Sequence, residues 1–190
     1  MSYDIFLADR VTKQVVELPF AHIMTGGTYQ AEYDYATDTF SKKPITEAWL
    51  NVTWNYAPYY YEGSRSDDRF EGKGIRGIYG KTGLESIPML NSLIDNIMSK
   101  YKDSDGDWIT TVRDKTIYRD MFDNEVSLNI YIKSIINGTS AQYSIETGTE
   151  EVWEGYTNDY WSATAANAIK PLYQLIAMAK LRPDCIWLGD

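Results

Sequence analysis

Polar and apolar positions alternate most cleanly over residues 47–56. Leu50, Val52, Trp54 and Tyr56 fall on one face, and Trp49, Asn51, Thr53 and Asn55 on the other. A period of two carried by β-branched and aromatic residues predicts a strand through the whole stretch. Tyr3, Ile5 and Leu7 repeat that period near the start. A turn at 10–13 and a second short apolar run then suggest a hairpin over residues 3–18. Gly26-Gly27 marks a turn or bulge between two further extended pieces. Residues 36–46 read as loop, and 57–74 as a long polar loop of the kind that forms a flap. From Leu84 the period lengthens. Leu84, Ile87, Leu90, Ile94, Ile97 and Tyr101 recur at three- and four-residue steps, the signature of an amphipathic helix. Pro88 fits only a first turn, so the helix starts within 82–87, capped by Thr82 or Ser86.

Residues 107–147 return to a β pattern and suggest a meander of three or four strands. In its clearest member Val126, Leu128, Ile130 and Ile132 alternate with Ser127, Asn129, Tyr131 and Lys133. Residues 162–181 are helical, with Ser162 the natural cap and Pro171 a kink or restart. Ile186 and Trp187 are apolar enough to tuck back onto the body. Strands in runs with few helices predict an α+β fold, an antiparallel twisted sheet with two main helices packed on one face. The sheet would hold about six to eight strands.

The length of 190 residues suits a single domain, residues 1–190. Its formal charge of −9 makes it a poor general binder of nucleic acid or anionic membrane. The opening residues are acidic and polar, unlike an export signal, and no apolar run approaches the ~20 residues of a membrane span. With Cys185 the only cysteine, the expectation is a cytoplasmic protein without disulfide or membrane segment. The charge is uneven: residues 101–160 carry most of it, whereas residues 61–100 balance.

That neutral stretch holds GIRGIYGKTG, residues 74–83. A phosphate-binding P-loop needs glycine five residues before Gly80, and that position is Ile75. Two readings stay open. Gly77 and Gly80 could let backbone N–H groups converge on an anion at a helix start, with Arg76 and Lys81 supplying charge and Thr82 a hydroxyl. Alternatively, the glycines only allow a tight turn against aromatic neighbours. Tyr59, Tyr60 and Tyr61 cannot all face inward from one short stretch, so one or more could stack on a ligand's ring. Asp103, Asp105 and Asp107 match the first ligand positions of a calcium loop, but Trp108 stands where its glycine belongs, so a solvated acidic turn is preferred. One histidine, His22, and one cysteine give neither a zinc set nor a supported catalytic pair. No catalytic residue, metal or cofactor is assigned.

Five segments carry a family resemblance: SYDIFLAD at the start, GGTYQ (26–30), TEAWLNVTWNY (46–56), GIRGIYGKTGLESIPML (74–90) and the last 31 residues, 160–190. Together they resemble a family of small uncharacterised proteins of phages and of bacterial genomes carrying mobile elements. The resemblance implies such an origin and no reaction. It also implies that residues 102–158 are a β-rich insertion, since relatives join the two helices by a short connection. The leading expectation is a non-enzymatic protein holding an anionic small molecule, such as a nucleotide, at the glycine loop. The alternative is an acidic inhibitor binding a basic host protein, and an enzyme of unknown type is a third. Self-association through Ile186 and Trp187 stays open.

Overall fold

The computed structural model describes residues 2–22 and 29–190. Gly26-Gly27 therefore lies outside the described residues. The chain divides into two compact units, Met1–Ile109 with Glu154–Asp190, and Thr110–Trp153.

In the first unit β1 (Ser2–Ala8) is the central strand of an antiparallel sheet, flanked by β5 (Trp49–Thr53) and β9 (Ile186–Gly189). Tyr3, Ile5 and Leu7 alternate into the core, as their spacing predicts. They join one buried cluster with Leu90, Leu93 and Ile94 of α2 (Gly83–Tyr101) and Leu172, Leu175 and Met178 of α4 (Ala165–Leu181). Each such side chain, fully buried, contributes roughly 1.5–3 kcal/mol against its exposed state. The α+β class is as expected. Among the described residues the predicted single sheet is instead three sheets of three strands, all antiparallel.

Several local expectations are corrected. The 3–18 hairpin shrinks to one bridge, Ala8 to Val15; β2 (Glu17–His22) then leaves β1 and pairs with β4 (Thr39–Glu47). Most of the segment read as loop is β4 itself, which pairs β3 (Tyr29–Asp34) as far as Pro44 and β2 from Ile45 onward. Pro44 thus falls where the partner changes. The strand at 47–56 stops at Thr53, whose side chain accepts the Asn55 N–H and caps a 3-10 turn, Trp54–Tyr56. The polar "flap" begins as a helix, α1 (Ala57–Gly63), with Pro58 tolerated in its first turn.

Thr82 caps α2 through a reciprocal box with Glu85. Pro88 lies inside α2, one turn later than expected, and Leu84 is exposed rather than core. Thr164, not Ser162, caps α4, which runs unbroken through Pro171. Ile186 and Trp187 form β9, and Trp187 is fully buried with Nε1–H donating to Ser86 Oγ at 2.7 Å.

In the second unit the expected meander opens on one long strand, β6 (Thr110–Asp120), paired along its length with β8 (Tyr143–Trp153). A two-residue β7 (Glu125–Val126) completes the sheet. The strand expected from the alternation over Val126–Lys133 is instead α3 (Leu128–Ile136), capped by Ser127. Tyr131 of α3 stacks on Tyr118 of β6, ring centroids 4.8 Å apart.

Candidate functional site

The chain from Asp67 to α2 turns repeatedly with little regular structure. Asp67 caps a 3-10 turn, Asp68–Phe70, which ends on a left-handed Glu71. A second 3-10 turn, Gly74–Ile78, buries Ile75 and Ile78. Gly80 adopts φ +80, which only glycine takes without strain, and reverses the chain into α2. Around these turns lies a cleft of about 500 Å3 whose lining includes Tyr61, Glu71, Lys73, Arg76, Gly77, Tyr79 and Lys81.

The N–H groups of residues 79–84, at the end of the glycine loop, are not available to an anion. Tyr79 N–H donates to Arg76 O, Gly80 N–H to Trp187 O, and Lys81 N–H to Ile78 O. Thr82 N–H goes to Glu85 Oε2, Gly83 N–H to Cys185 O and Leu84 N–H to Pro183 O. Thus the start of α2 is already filled by its own Glu85 carboxylate and by the chain tail. Two glycines of the loop serve packing. A Cβ on Gly77 would stand 2.6 Å from Phe70 Cα, and one on Gly83 2.7 Å from Arg182 O. Thr82 is a helix cap, with its N–H and hydroxyl both donating to Glu85.

The tyrosine expectation is corrected for two of three residues. Positions 56, 59, 60 and 63 form the buried stripe of the helical turn. Tyr59 hydroxyl donates to Glu154 Oε2 (2.8 Å) and Tyr60 hydroxyl to Ala168 O (2.9 Å), so neither can stack on a ligand. Tyr61 remains, more than a third exposed and on the cleft wall.

The cleft's charge comes from side chains. The Arg76 guanidinium lies 5.0 Å from the Tyr3 ring centroid and 5.3 Å from that of Trp54, and its Nε–H donates to Asp190 O at 2.9 Å. Aromatic faces and a carbonyl thereby fix its position before any ligand arrives. Lys73 is paired with Glu71, and that hydrogen bond holds Glu71 below the usual carboxylate range. The Lys81 ammonium has no hydrogen bond or ion pair among the described residues. Burial pushes the Tyr79 hydroxyl up to about 12. Tyr3, 1% exposed, keeps a hydroxyl with no hydrogen-bond partner among the described residues, and burial raises its pKa, with Tyr61 adding to the rise and Arg76 opposing it.

Of the residues singled out in the sequence, the fold brings Tyr61, Arg76, Gly77 and Lys81 to one cleft. It assigns Gly80 and Thr82 to the turn and cap, and sends Tyr59 and Tyr60 to the core. Tyr79 and Glu71 also line the cleft without having been singled out in the sequence, and no spacing links Tyr3 of β1 to Arg76, whose guanidinium lies over its ring.

Elsewhere the chemistry is structural. Asp103 Oδ1 accepts the N–H groups of Asp105 and Asp107, closing the acidic turn on itself. Among the described residues no group of three His, Cys, Asp or Glu is placed to hold a metal ion. His22 is buried with Nε2 against Glu47 O, and burial pushes the Cys185 thiol up, away from nucleophilic use. No helix among the described residues is long and apolar enough to cross a membrane. No protein-family model, curated protein or solved structure matches this chain.

Proposed function

We propose that this is a phage-associated, non-enzymatic binding protein of the cytoplasm that holds a small anionic molecule in the Arg76–Lys81 cleft. The observation that carries this reading is the Lys81 ammonium, unpaired among the described residues, on the same cleft as a pre-positioned Arg76. Side chains rather than backbone N–H groups hold the anion. Arg76 offers a planar fork and Lys81 a mobile point charge. Tyr61 gives a half-open ring for a base or other flat group. The cleft volume of about 500 Å3 suits a nucleotide-sized ligand.

The test is a thermal-shift series with inorganic phosphate, nucleotides and cyclic dinucleotides, run on the wild type and Lys81→Ala. A ligand at about 100 times its dissociation constant adds roughly 2.7 kcal/mol, which for a chain of this length raises Tm by roughly 5–10 °C. The expected result is a shift that Lys81→Ala loses while keeping the wild-type Tm without ligand. Equal shifts in both proteins, or none in either, would remove the cleft from the function.

A further inference from the structure

The second unit carries an open sheet edge. β8 runs eleven residues, and among the described residues it pairs with β6 alone. Its register is unbroken from Thr110↔Trp153 to Asp120↔Tyr143, and it has no bulge, proline or lysine to blunt the edge. Two of its glutamates belong to its own sheet: Glu146 is ion-paired with Arg119, and Glu150 stands opposite Arg113. On the other face the strand exposes apolar side chains. Ile145 is 56% and Trp153 54% exposed, and the two are equally distant along the strand from Thr149. That face also carries α3, since Tyr131 stacks on Tyr118, the residue opposite Ile145.

The strand's own pattern says which occupant it fits. Antiparallel pairs alternate between hydrogen-bonded and non-hydrogen-bonded. Two copies joined by a two-fold axis must therefore place that axis on a pair of identical residues. An axis at Glu146, Glu150 or Glu151 sets a glutamate against itself, and one at Gly148 sets Glu146 against Glu150 twice. Like charges so opposed are destabilising. An axis at Thr147 opposes no glutamates, but it sets Ile145 against Thr149 and Tyr143 against Glu151. An axis at Thr149 pairs residues 145–153 of each copy, again opposing no glutamates, and sets Ile145 against Trp153 twice. Aromatic and β-branched side chains are a favourable cross-strand pair. In this register the two largest exposed apolar side chains of β8 cover each other.

We infer that β8 is the dimer edge of this protein, pairing with β8 of a second copy about Thr149. The result is one continuous sheet with both α3 helices on the same face. A sheet of that width with helices on one side is the layered arrangement that a lone three-stranded ladder lacks. This edge is separate from the cleft and does not depend on the anion reading.

The experiment uses the full chain and two variants of equal charge, Thr149→Lys and Thr147→Lys. Both positions are exposed and lie on the same face of β8. Within the fold position 149 stands opposite Asp114 and position 147 opposite Thr116, so neither lysine meets a like charge. Across the dimer they differ. Lysine at 149 meets itself on the axis, and lysine at 147 meets Glu151 of the other copy. Sedimentation equilibrium gives the dimer constant, and amide hydrogen exchange locates the contact. The expected result is a wild-type dimer with exchange across 143–153 slowing as concentration rises. Thr149→Lys should dimerise at least ~3-fold more weakly than the wild type, and Thr147→Lys at least ~3-fold more tightly. Because two copies at −9 repel, salt should tighten the wild-type dimer. A wild type still monomeric at ~1 mM, equal effects of the two lysines, the reverse order, or concentration-dependent protection outside β8 would each overturn the proposal.

Discussion

The two units of this chain use apolar residues in opposite ways. The first gathers thirty buried side chains among the described residues into one cluster, from Tyr3 to Trp187, and the hydroxyls of Tyr59 and Tyr60 are tied to Glu154 and to the Ala168 carbonyl. In Thr110–Trp153 the only buried residue is Ser134, while Met121, Phe122, Leu128, Ile135 and Ile136 all stand half or more exposed. The second unit is therefore held by its β6–β8 ladder, one tyrosine stack and exposed ion pairs such as Lys115–Glu125. A ladder without a covered apolar face is marginal in water. One unit is a packed body; the other is a framework that keeps its apolar surface outward. Stability lost by substitution should follow this division.

The largest effect is expected at Trp187. Trp187→Ala removes a fully buried indole and its hydrogen bond to Ser86, and detaches β9 from the start of α2. The loss is about 3–5 kcal/mol, or roughly 6–20 °C in Tm, measured by urea unfolding and a thermal scan. A small loss would mean that the tail strand is not part of the packed body. It would also free the N–H groups of Gly80 and Gly83 that β9 and its approach now occupy.

What the sequence made legible follows the same division. In the packed body burial selects residue type, so Ile5 and Leu7 read correctly as a strand face, and Thr82, one of the two expected caps, marks the helix start. The tyrosine run was misread although its signal was present. Positions 56, 59, 60 and 63 have helical spacing, but the strand alternation ending at Tyr56 masked it. In the second unit the outer surface is not selected for polarity, so α3 shows apolar residues on several sides. Leu128, Ile130 and Ile132 then mimic a strand. The cleft was half legible: Arg76, Lys81 and Tyr61 lie close in sequence. That the chain tail consumes the loop's N–H groups depends on contacts no spacing reveals.

A smaller effect separates the units electrostatically. Asp67 is held at about 2 by the Arg69 side chain, with the Arg69 N–H and Ser92 assisting and burial opposing. Because the folded value lies below that of the free carboxyl, its stabilisation is complete above about pH 4 and is lost as pH falls toward 2. Arg69 is half exposed, so the pair contributes about 0.5–1 kcal/mol after screening. Asp67→Asn should lower stability by that amount at pH 7 and leave it unchanged near pH 2. The Lys115–Glu125 pair of the second unit is open to solvent on both sides. Glu125→Gln should leave unfolding unchanged at either pH.

The smallest expected effect is the most direct test of the contrast. Ile136 is 77% exposed at the end of α3. Ile136→Ser removes an apolar surface that burial in this chain does not use, so unfolding free energy should move by less than ~0.5 kcal/mol. Urea unfolding at low protein concentration checks this against Trp187→Ala. A loss comparable to that of Trp187 would show that the α3 face is covered in solution. Repeating the measurement at rising concentration then separates the causes. A concentration-dependent midpoint in the wild type, absent from Ile136→Ser, would mean that copies of the chain cover one another there. A concentration-independent loss would mean that the second unit has a core of its own, and the contrast between framework and packed body would fall.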